Sequence, residues 1–359
     1  MIAAYVYPGW HPIAERDAAF HPGFTEWELV TACRPRFDGH HQPRLPALGI
    51  YDDRDPIAVG RRVEMAVARG VDALVYGVFW CREKRVFERA LDDGFLGSTV
   101  GATLPFAVMW ANRMPRRVLP VARVDEPVID ESRRVSSDVD DFVKLIAYLA
   151  ERYFHRANYL RVDGRLYFSI FDATFFVREL GVDDARRAIT SAREWLSGHG
   201  FPPLHLAAIE PAPDLVGQMR AIGFDSVTNY VLLPYWKGPF LQDYTETAAR
   251  RAGEWAGIAR AAGLPYFPSV SPGWDATPRG ADFGLARPHK YPWWPVVTGE
   301  HPDRFRDALA RALDFSRRES APLTFIASLN EWSEGHYLEP DERFGEGWMN
   351  AVAAAIGVR

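Results

Sequence analysis

The sequence predicts an α/β protein of the (β/α)8-barrel (TIM-barrel) class, one domain over residues 1–359. Three observations predict it. A short β-rich run, a loop and an amphipathic segment recur eight times along the chain. That strict alternation implies a parallel sheet with helical crossovers. A doubly wound open sheet would also alternate, but its G-x-G-x-x-G turn after the first strand is missing, and Pro8-Gly-Trp-His11 stands there instead.

Taken in order, the first run covers residues 2–7 and its helix 56–69. The second covers 73–79, followed by a helix over 83–95. The third covers 104–110, with a helix over 138–154. The fourth, 166–171, leads to a helix over 183–197. The fifth, 204–209, leads to a short helix over 214–221. The sixth, 225–230, is followed by 245–262. The seventh, 266–270, is followed by 303–320. The eighth, 323–328, leads to a last helix over 346–356. Connections leaving the strands are long at 8–55, 111–137 and 271–302, whereas several returns are tight, as in Ala68-Arg-Gly-Val71. In a barrel the long loops gather at the carboxyl ends of the strands, where such folds keep their active sites.

Composition narrows the function. The chain is 48% hydrophobic and 25% charged with a net charge of -5, and it has no long run of one sign. That argues against a nucleic-acid or anionic-membrane surface. Its basic clusters, Arg116-Arg117 and Arg317-Arg318, read as solvated faces. Cys33 and Cys81 lie far apart and form no C-x-x-C pair, so neither a disulfide framework nor a zinc site is expected. No basic and apolar leader opens the chain and no apolar run reaches membrane length, which predicts a cytoplasmic protein without a membrane span. Sugar identity, linkage and oligomeric state are not written in the sequence.

The strand ends supply the chemistry. They carry Trp110 and Asn112, Asp172, Glu210, Asn229 and Tyr230, Trp274 and Asp275, and then Asn330-Glu-Trp-Ser-Glu334. With Trp10, His11 and Trp80 from the first two strand ends, they mix flat apolar rings with amides and carboxylates. Glycans need this mixture, rings for the C–H faces and polar groups for the hydroxyls. Each polar residue taken singly could also cap its own loop. The predicted substrate-binding set is Trp10, His11, Trp80, Trp110, Asn112, Asn229, Tyr230, Trp274, Asp275, Asn330 and Trp332.

Glu331 and Glu334 are the predicted catalytic pair. Glycoside chemistry needs one carboxyl to protonate the departing oxygen and a second to act as base or nucleophile. A three-residue spacing in a turn puts both on one side, and close like charges in a dry pocket separate their proton affinities. Two glutamates at this spacing are also common on exposed helices; their place directly after the last strand favours the chemical reading. No G-x-S-x-G, P-loop or H-E-x-x-H motif competes. His336-Tyr-Leu-Glu339 offers half a metal site at most. Asp53-Arg-Asp55 resembles the D-x-D of metal-dependent glycosyltransferases, but Pro56 beside it points to helix capping. No metal or cofactor is expected.

Several motifs, in order through nearly the whole chain, resemble one family. They are Gly23-Phe-Thr-Glu-Trp27, His40-His-Gln-Pro-Arg-Leu-Pro46, Tyr51-Asp-Asp-Arg-Asp-Pro56, Trp110-Ala-Asn112, Val162-Asp-Gly164, Pro272-Gly-Trp-Asp275 and Asn330-Glu-Trp-Ser-Glu-Gly-His-Tyr-Leu-Glu-Pro-Asp341. The chain is similar to WbsX-type polysaccharide-biosynthesis proteins, the glycoside hydrolase family 99-like group related to endo-α-mannosidases. The resemblance implies a (β/α)8 barrel and retaining action on an α-mannoside-like glycan. It implies that Glu331 deprotonates the sugar 2-hydroxyl, giving a 1,2-anhydro sugar, and that Glu334 serves as general acid and then base. One departure stands out. Where such proteins tend to read Trp-Ala-Asn-Glu-Asn-Trp, this chain has Trp110-Ala-Asn-Arg-Met-Pro115, which suggests a different or anionic substrate if that loop lines the cavity.

The leading expectation is therefore a metal-independent glycoside hydrolase with a carbohydrate substrate. Its rivals are a glycosyl-transferring enzyme of surface-polysaccharide assembly and a non-catalytic glycan-binding barrel.

Overall fold

In a computed structural model, which describes residues 1–112, 137–231, 233–283 and 289–357, eight parallel strands close into a barrel. They are β1 (Ile2–Val6), β2 (Ala73–Cys81), β3 (Phe106–Trp110), β4 (Arg165–Ile170), β5 (Leu204–Ile209), β6 (Ser226–Thr228), β7 in two pieces (Tyr266–Phe267 and Ser269–Val270) and β8 (Thr324–Ile326). Each pairs with the next, and β8 pairs with β1 through Ile2↔Thr324, Ala3↔Phe325 and Ala4↔Ile326. Residues in β1, β2, β3 and β5 are buried on both faces. Continuous apolar runs such as Ile2-Ala-Ala-Tyr-Val6 are what a parallel sheet under helices requires.

The break in β7 has a local cause. Pro268 has no N–H to give to a ladder; the strand pairs with β6 before it and with β8 after it. The Pro268 carbonyl still accepts from the Phe325 amide at 2.7 Å, so the cylinder stays closed.

Most helices follow the periodicity. Pro56–Val67 begins with Pro at its first position and Asp55 accepting from the Ile57 amide, which bears out capping for the second aspartate of Asp53-Arg-Asp55. Val182–Gly198, Tyr244–Ala262, Pro302–Glu319 and Gly347–Ala355 lie where expected. The expected helix over 83–95 is corrected. Arg82 and Glu83 take positive φ (47° and 64°), and the chain folds back so that Lys84–Val86 pairs antiparallel with the end of β2. This hairpin satisfies backbone groups of a strand that outruns the barrel, and it buries Val86 and Phe87. A π-helical segment, Ala90–Phe95, wider than an α-helix, completes the crossover. The short helix over 214–221 is reduced to two small turns, Val216–Gln218 and Met219–Ile222. An unexpected helix, Ala173–Leu180, follows β4, with Asp172 accepting from the Phe175 amide. The long connection after β1 carries two more, Ala14–Ala19 and Glu26–Ala32. No helix of the described residues is long and apolar enough to cross a membrane. The Arg113-Met114-Pro115 departure and the Arg116-Arg117 cluster lie outside the described residues.

Candidate active site

After β8 the chain makes a short antiparallel pair, Asn330–Glu331 with His336–Tyr337, and between them the turn Trp332–Glu334. Asn330 fixes this element to the other end of the sequence. Its side-chain oxygen accepts from the Tyr7 amide at 2.9 Å and its nitrogen donates to the Tyr7 carbonyl at 3.0 Å. Ser328 holds the Glu331 amide at 2.8 Å and donates to the His336 carbonyl. Gly335 closes the turn at φ 69°. A Cβ there would come within 2.9 Å of Asp275, so both its dihedral angle and its packing call for glycine.

Glu331 and Glu334 thereby converge at the carboxyl end of the barrel on a cavity of about 360 Å³. Tyr230, Trp274, Trp236 and Tyr291 line the same cavity. The Tyr230 hydroxyl donates to Glu331 Oε2 at 2.6 Å. Trp274 is fixed by an indole bond to the Pro295 carbonyl and stacks on His336. Trp236, half exposed, stands edge-on to Trp274 with ring centroids 5.2 Å apart.

A charged cluster lies beneath. Glu26, fully buried, accepts from Tyr7, Arg16 and Ser333. Arg279 reaches Glu26 at 3.1 Å, Glu331 at 3.0 Å, and Glu334 as well. The Tyr291 hydroxyl donates to Glu334 at 2.8 Å. Burial and then the neighbouring Glu334 charge raise the Glu331 carboxyl above its ordinary range, with Arg279 offsetting only part. Burial opposes charge on Glu334 too, but Arg279, His336 and Tyr291 outweigh it and hold that carboxyl down at about 2. Burial likewise opposes charge on Glu26, where Arg279 and Arg16 keep it ionised.

The remaining predicted binding residues belong to the frame. Trp80 donates its indole N–H to Asp141, and Trp110 donates to the Trp80 carbonyl. Asn112 ties down the backbone of Asp172. Trp10 donates to the Asn330 carbonyl, and His11 pairs with Asp53 at 2.6 Å. Asn229 accepts from Tyr266. Trp332 donates to Glu339 at 2.8 Å. Asp275 gathers His40, Gln42 and Thr277, which explains the motif at 40–46 as an anchor for the Trp274 loop. Neither these eight nor Asn330 are among the residues that line the cavity. Their bonds instead hold one another and the strand ends in place.

Glu26, Arg279, Tyr7, Tyr291 and Trp236 were not singled out from the sequence. Glu26 sits inside Gly23-Phe-Thr-Glu-Trp27, but nothing local marks it as buried. Arg279 comes from a short helical turn, Thr277–Phe283, far along the chain. Among the described residues, two clusters have the residue types of a metal site. In one, Asp53 is taken by His11 and the Trp10 amide and Asp52 by Arg54. In the other, Glu331, Glu334 and His336, the Arg279 guanidinium already supplies the positive charge.

The comparisons bear on the fold and the family. The chain is 30% identical to an uncharacterized protein, WxcX, of Xanthomonas campestris pv. campestris (strain B100), over 99% of this chain and 49% of that protein. It thus spans about half the length of the curated relatives it matches. Among solved structures it is similar to a GH99 endo-alpha-mannosidase from Bacteroides thetaiotaomicron, with TM-score 0.61 and 16% identity, covering 99% of this chain and 95% of that one. It is also similar to a glycoside hydrolase-like protein, with TM-score 0.64 and 14% identity, covering 100% and 94%. At such identities the likeness is one of fold. The family model described as glycosyltransferase WbsX matches residues 1–352, and the chain belongs to that family.

Proposed function

We propose that this protein is a glycan-processing enzyme that cleaves an α-mannoside-like oligosaccharide or polysaccharide with retention, using Glu331 and Glu334 and no metal. The observation that carries the reading is the meeting of two carboxyls from one turn over an aromatic-walled cavity at the barrel mouth. Their oxygens approach within 4.8 Å of each other. Retention rests on the resemblance, in which the sugar's own 2-hydroxyl rather than a carboxylate attacks the anomeric carbon, so that two inversions restore the configuration.

Charge counting supports an acid and a base at one site. Three carboxyls, Glu26, Glu331 and Glu334, face two guanidiniums, Arg16 and Arg279. A balanced cluster leaves one carboxyl neutral, and the environment selects Glu331. The resemblance needs the opposite order at the moment of attack. Substrate entry then has to move the proton: the Glu331 O–H breaks and an O–H forms on Glu334 as the glycosidic oxygen replaces the Tyr291 contact. Glu331 next takes the proton of the 2-hydroxyl, whose oxygen attacks the anomeric carbon. Glu334 gives its proton to the departing oxygen. Water, deprotonated by Glu334, then attacks the anomeric carbon; the C1–O2 bond of the 1,2-anhydro sugar breaks, Glu331 returns its proton to O2, and the starting anomeric configuration is restored.

A second reading follows from the family's description. If a sugar hydroxyl rather than water opens the same intermediate, the outcome is transfer without a sugar nucleotide. NMR of products from a panel of α-mannosides, with and without an acceptor sugar, tests both. Cleavage giving the α-anomer first, lost in Glu331→Gln and Glu334→Gln, is expected. Consumption of a sugar nucleotide with every glycoside left intact would sink the hydrolytic reading, and binding without turnover in either assay would leave a glycan-binding barrel.

A further inference from the structure

Arg279 differs from the other charged groups at the cavity in how completely it is used. A guanidinium has five N–H groups. Here Nε and Nη2 donate to Glu26 Oε2 at 3.2 and 3.1 Å, and Nη2 also donates to Glu331 Oε1 at 3.0 Å. Nη1 donates to the Tyr291 hydroxyl at 2.9 Å and to Glu334 Oε1. Those five bonds match the five donors, and the guanidinium carbon stands 5.3 Å from the centre of the Tyr7 ring. An arginine in a glycan cavity ordinarily invites the idea of an acidic sugar. This one has no N–H left to offer.

Its partners arrive from separate parts of the chain. Glu26 comes from the helix Glu26–Ala32, Tyr7 from just after β1, and Tyr291 from the connection between β7 and the helix Pro302–Glu319. Glu331 and Glu334 come from the turn after β8, backed by Tyr230 and His336. Arg16 lies on the far side of Glu26 and bonds to that carboxylate, to Tyr7 and to the Gly9 carbonyl. So Arg279 is the cation that bridges the buried Glu26 to both members of the pair.

Building on the assignment of Glu331 and Glu334 as the working pair, we propose that Arg279 is a positioning residue that decides which of the two carries the proton before substrate arrives, and not a receptor for an anionic substrate. Tied to Glu26 on one edge, the guanidinium presents its other edge to the pair. Glu334 receives Arg279 together with Tyr291 and His336, whereas Glu331 shares a weaker claim with the Tyr230 phenol. Without the guanidinium, three carboxyls would face Arg16 alone, and Glu334 would have to take up a proton as well.

The test reads carboxyl protonation directly and needs no turnover. Protein with 13C-carboxyl-labelled glutamate is titrated by NMR, with the two resonances assigned through Glu331→Gln and Glu334→Gln. In the unaltered protein Glu334 is expected to stay ionised through the acid range while Glu331 titrates at higher pH. In Arg279→Met the Glu334 midpoint should rise by at least about one unit, a roughly tenfold gain in proton affinity. Arg279→Lys keeps the charge but has three donors, and should fall between. An unmoved Glu334 midpoint, or a neutral Glu334 in the unaltered protein, overturns the proposal. Should Arg279→Met not fold, as judged by circular dichroism, the lysine variant decides by the same criterion. Galacturonate titrated into the unaltered protein should give no saturable shift; saturable binding abolished by Arg279→Lys would restore the receptor role. If no glycoside is ever cleaved, the proposed function fails while these titrations still decide the place of Arg279.

Discussion

The two sides of the barrel mouth are built on different chemistry. The side formed by β1, β7 and β8 with their loops carries Glu26, Arg279, Glu331, Glu334, Tyr291 and Trp274. Facing it, the ends of β2, β3 and β4 give the cavity Gly77, Phe79, Met109, Ala111 and Phe171 among the described residues, with Glu210 exposed after β5. Polarity is concentrated on the side of Glu331 and Glu334, and the facing wall is apolar apart from Glu210. A sugar ring has matching sides, hydroxyls around its edge and C–H groups on its faces. The contrast also shows that a tryptophan at a strand end is no guide to binding. Trp274 faces the cavity, whereas Trp110 is wholly buried behind the apolar wall.

The largest effect that would break the comparison is at Glu334. Glu334→Gln should lower kcat by about 10²–10⁴-fold on an unactivated mannoside, with binding retained in an inhibitor titration. Full turnover would mean the polar side is only scaffolding. Next comes Trp110→Ala, expected to cost about 3–5 kcal/mol of stability, read in a urea unfolding curve. Its KM should stay near the original value wherever the protein is folded; a selective rise in KM would show that the apolar wall touches substrate through it.

A smaller effect concerns the support of the polar side. Glu339 accepts from Tyr51 and Trp332 behind the working turn, and burial pushes its carboxyl up to about 7. A folded-state value above the unfolded one means its contribution is fully present below the unfolded pKa. It is then lost as pH rises through about 7. Stability should therefore decline by on the order of 1–3 kcal/mol between about pH 5 and about pH 8 from this group. Glu339→Gln should flatten that slope, and an unaltered slope would remove Glu339 from the account. The smallest is Trp274→Ala, which should weaken glycan binding by about 1 kcal/mol, roughly fivefold in KM, with the melting temperature changed less than by Trp110→Ala.

The barrel was legible because alternation of apolar runs and amphipathic segments is a local property. So was the turn after the last strand, since Asn330 through Glu334 are contiguous. The hairpin at Lys84–Val86 was hidden because Glu83–Phe95 has enough polar alternation to read as helix, and the positive φ values at Arg82 and Glu83 have no glycine to announce them. Glu26 and Arg279 were hidden for another reason. They meet across 253 positions, and neither neighbourhood shows that a charge will be buried. The strand-end rule selected Trp80, Trp110 and Asn112 correctly by position but not by direction, because an indole or amide can turn back into the wall it stands on.

The paired hydrogen bonds between the Asn330 side chain and the backbone of Tyr7 join positions 323 residues apart. A ribosome makes the aromatic partner early and the amide late. Until the eighth strand emerges and docks beside the first, this tie between the acidic turn and the end of the first strand cannot form. The tie forms only as the cylinder closes, and a nick that lets the first strand drift from the eighth should release the turn from Tyr7.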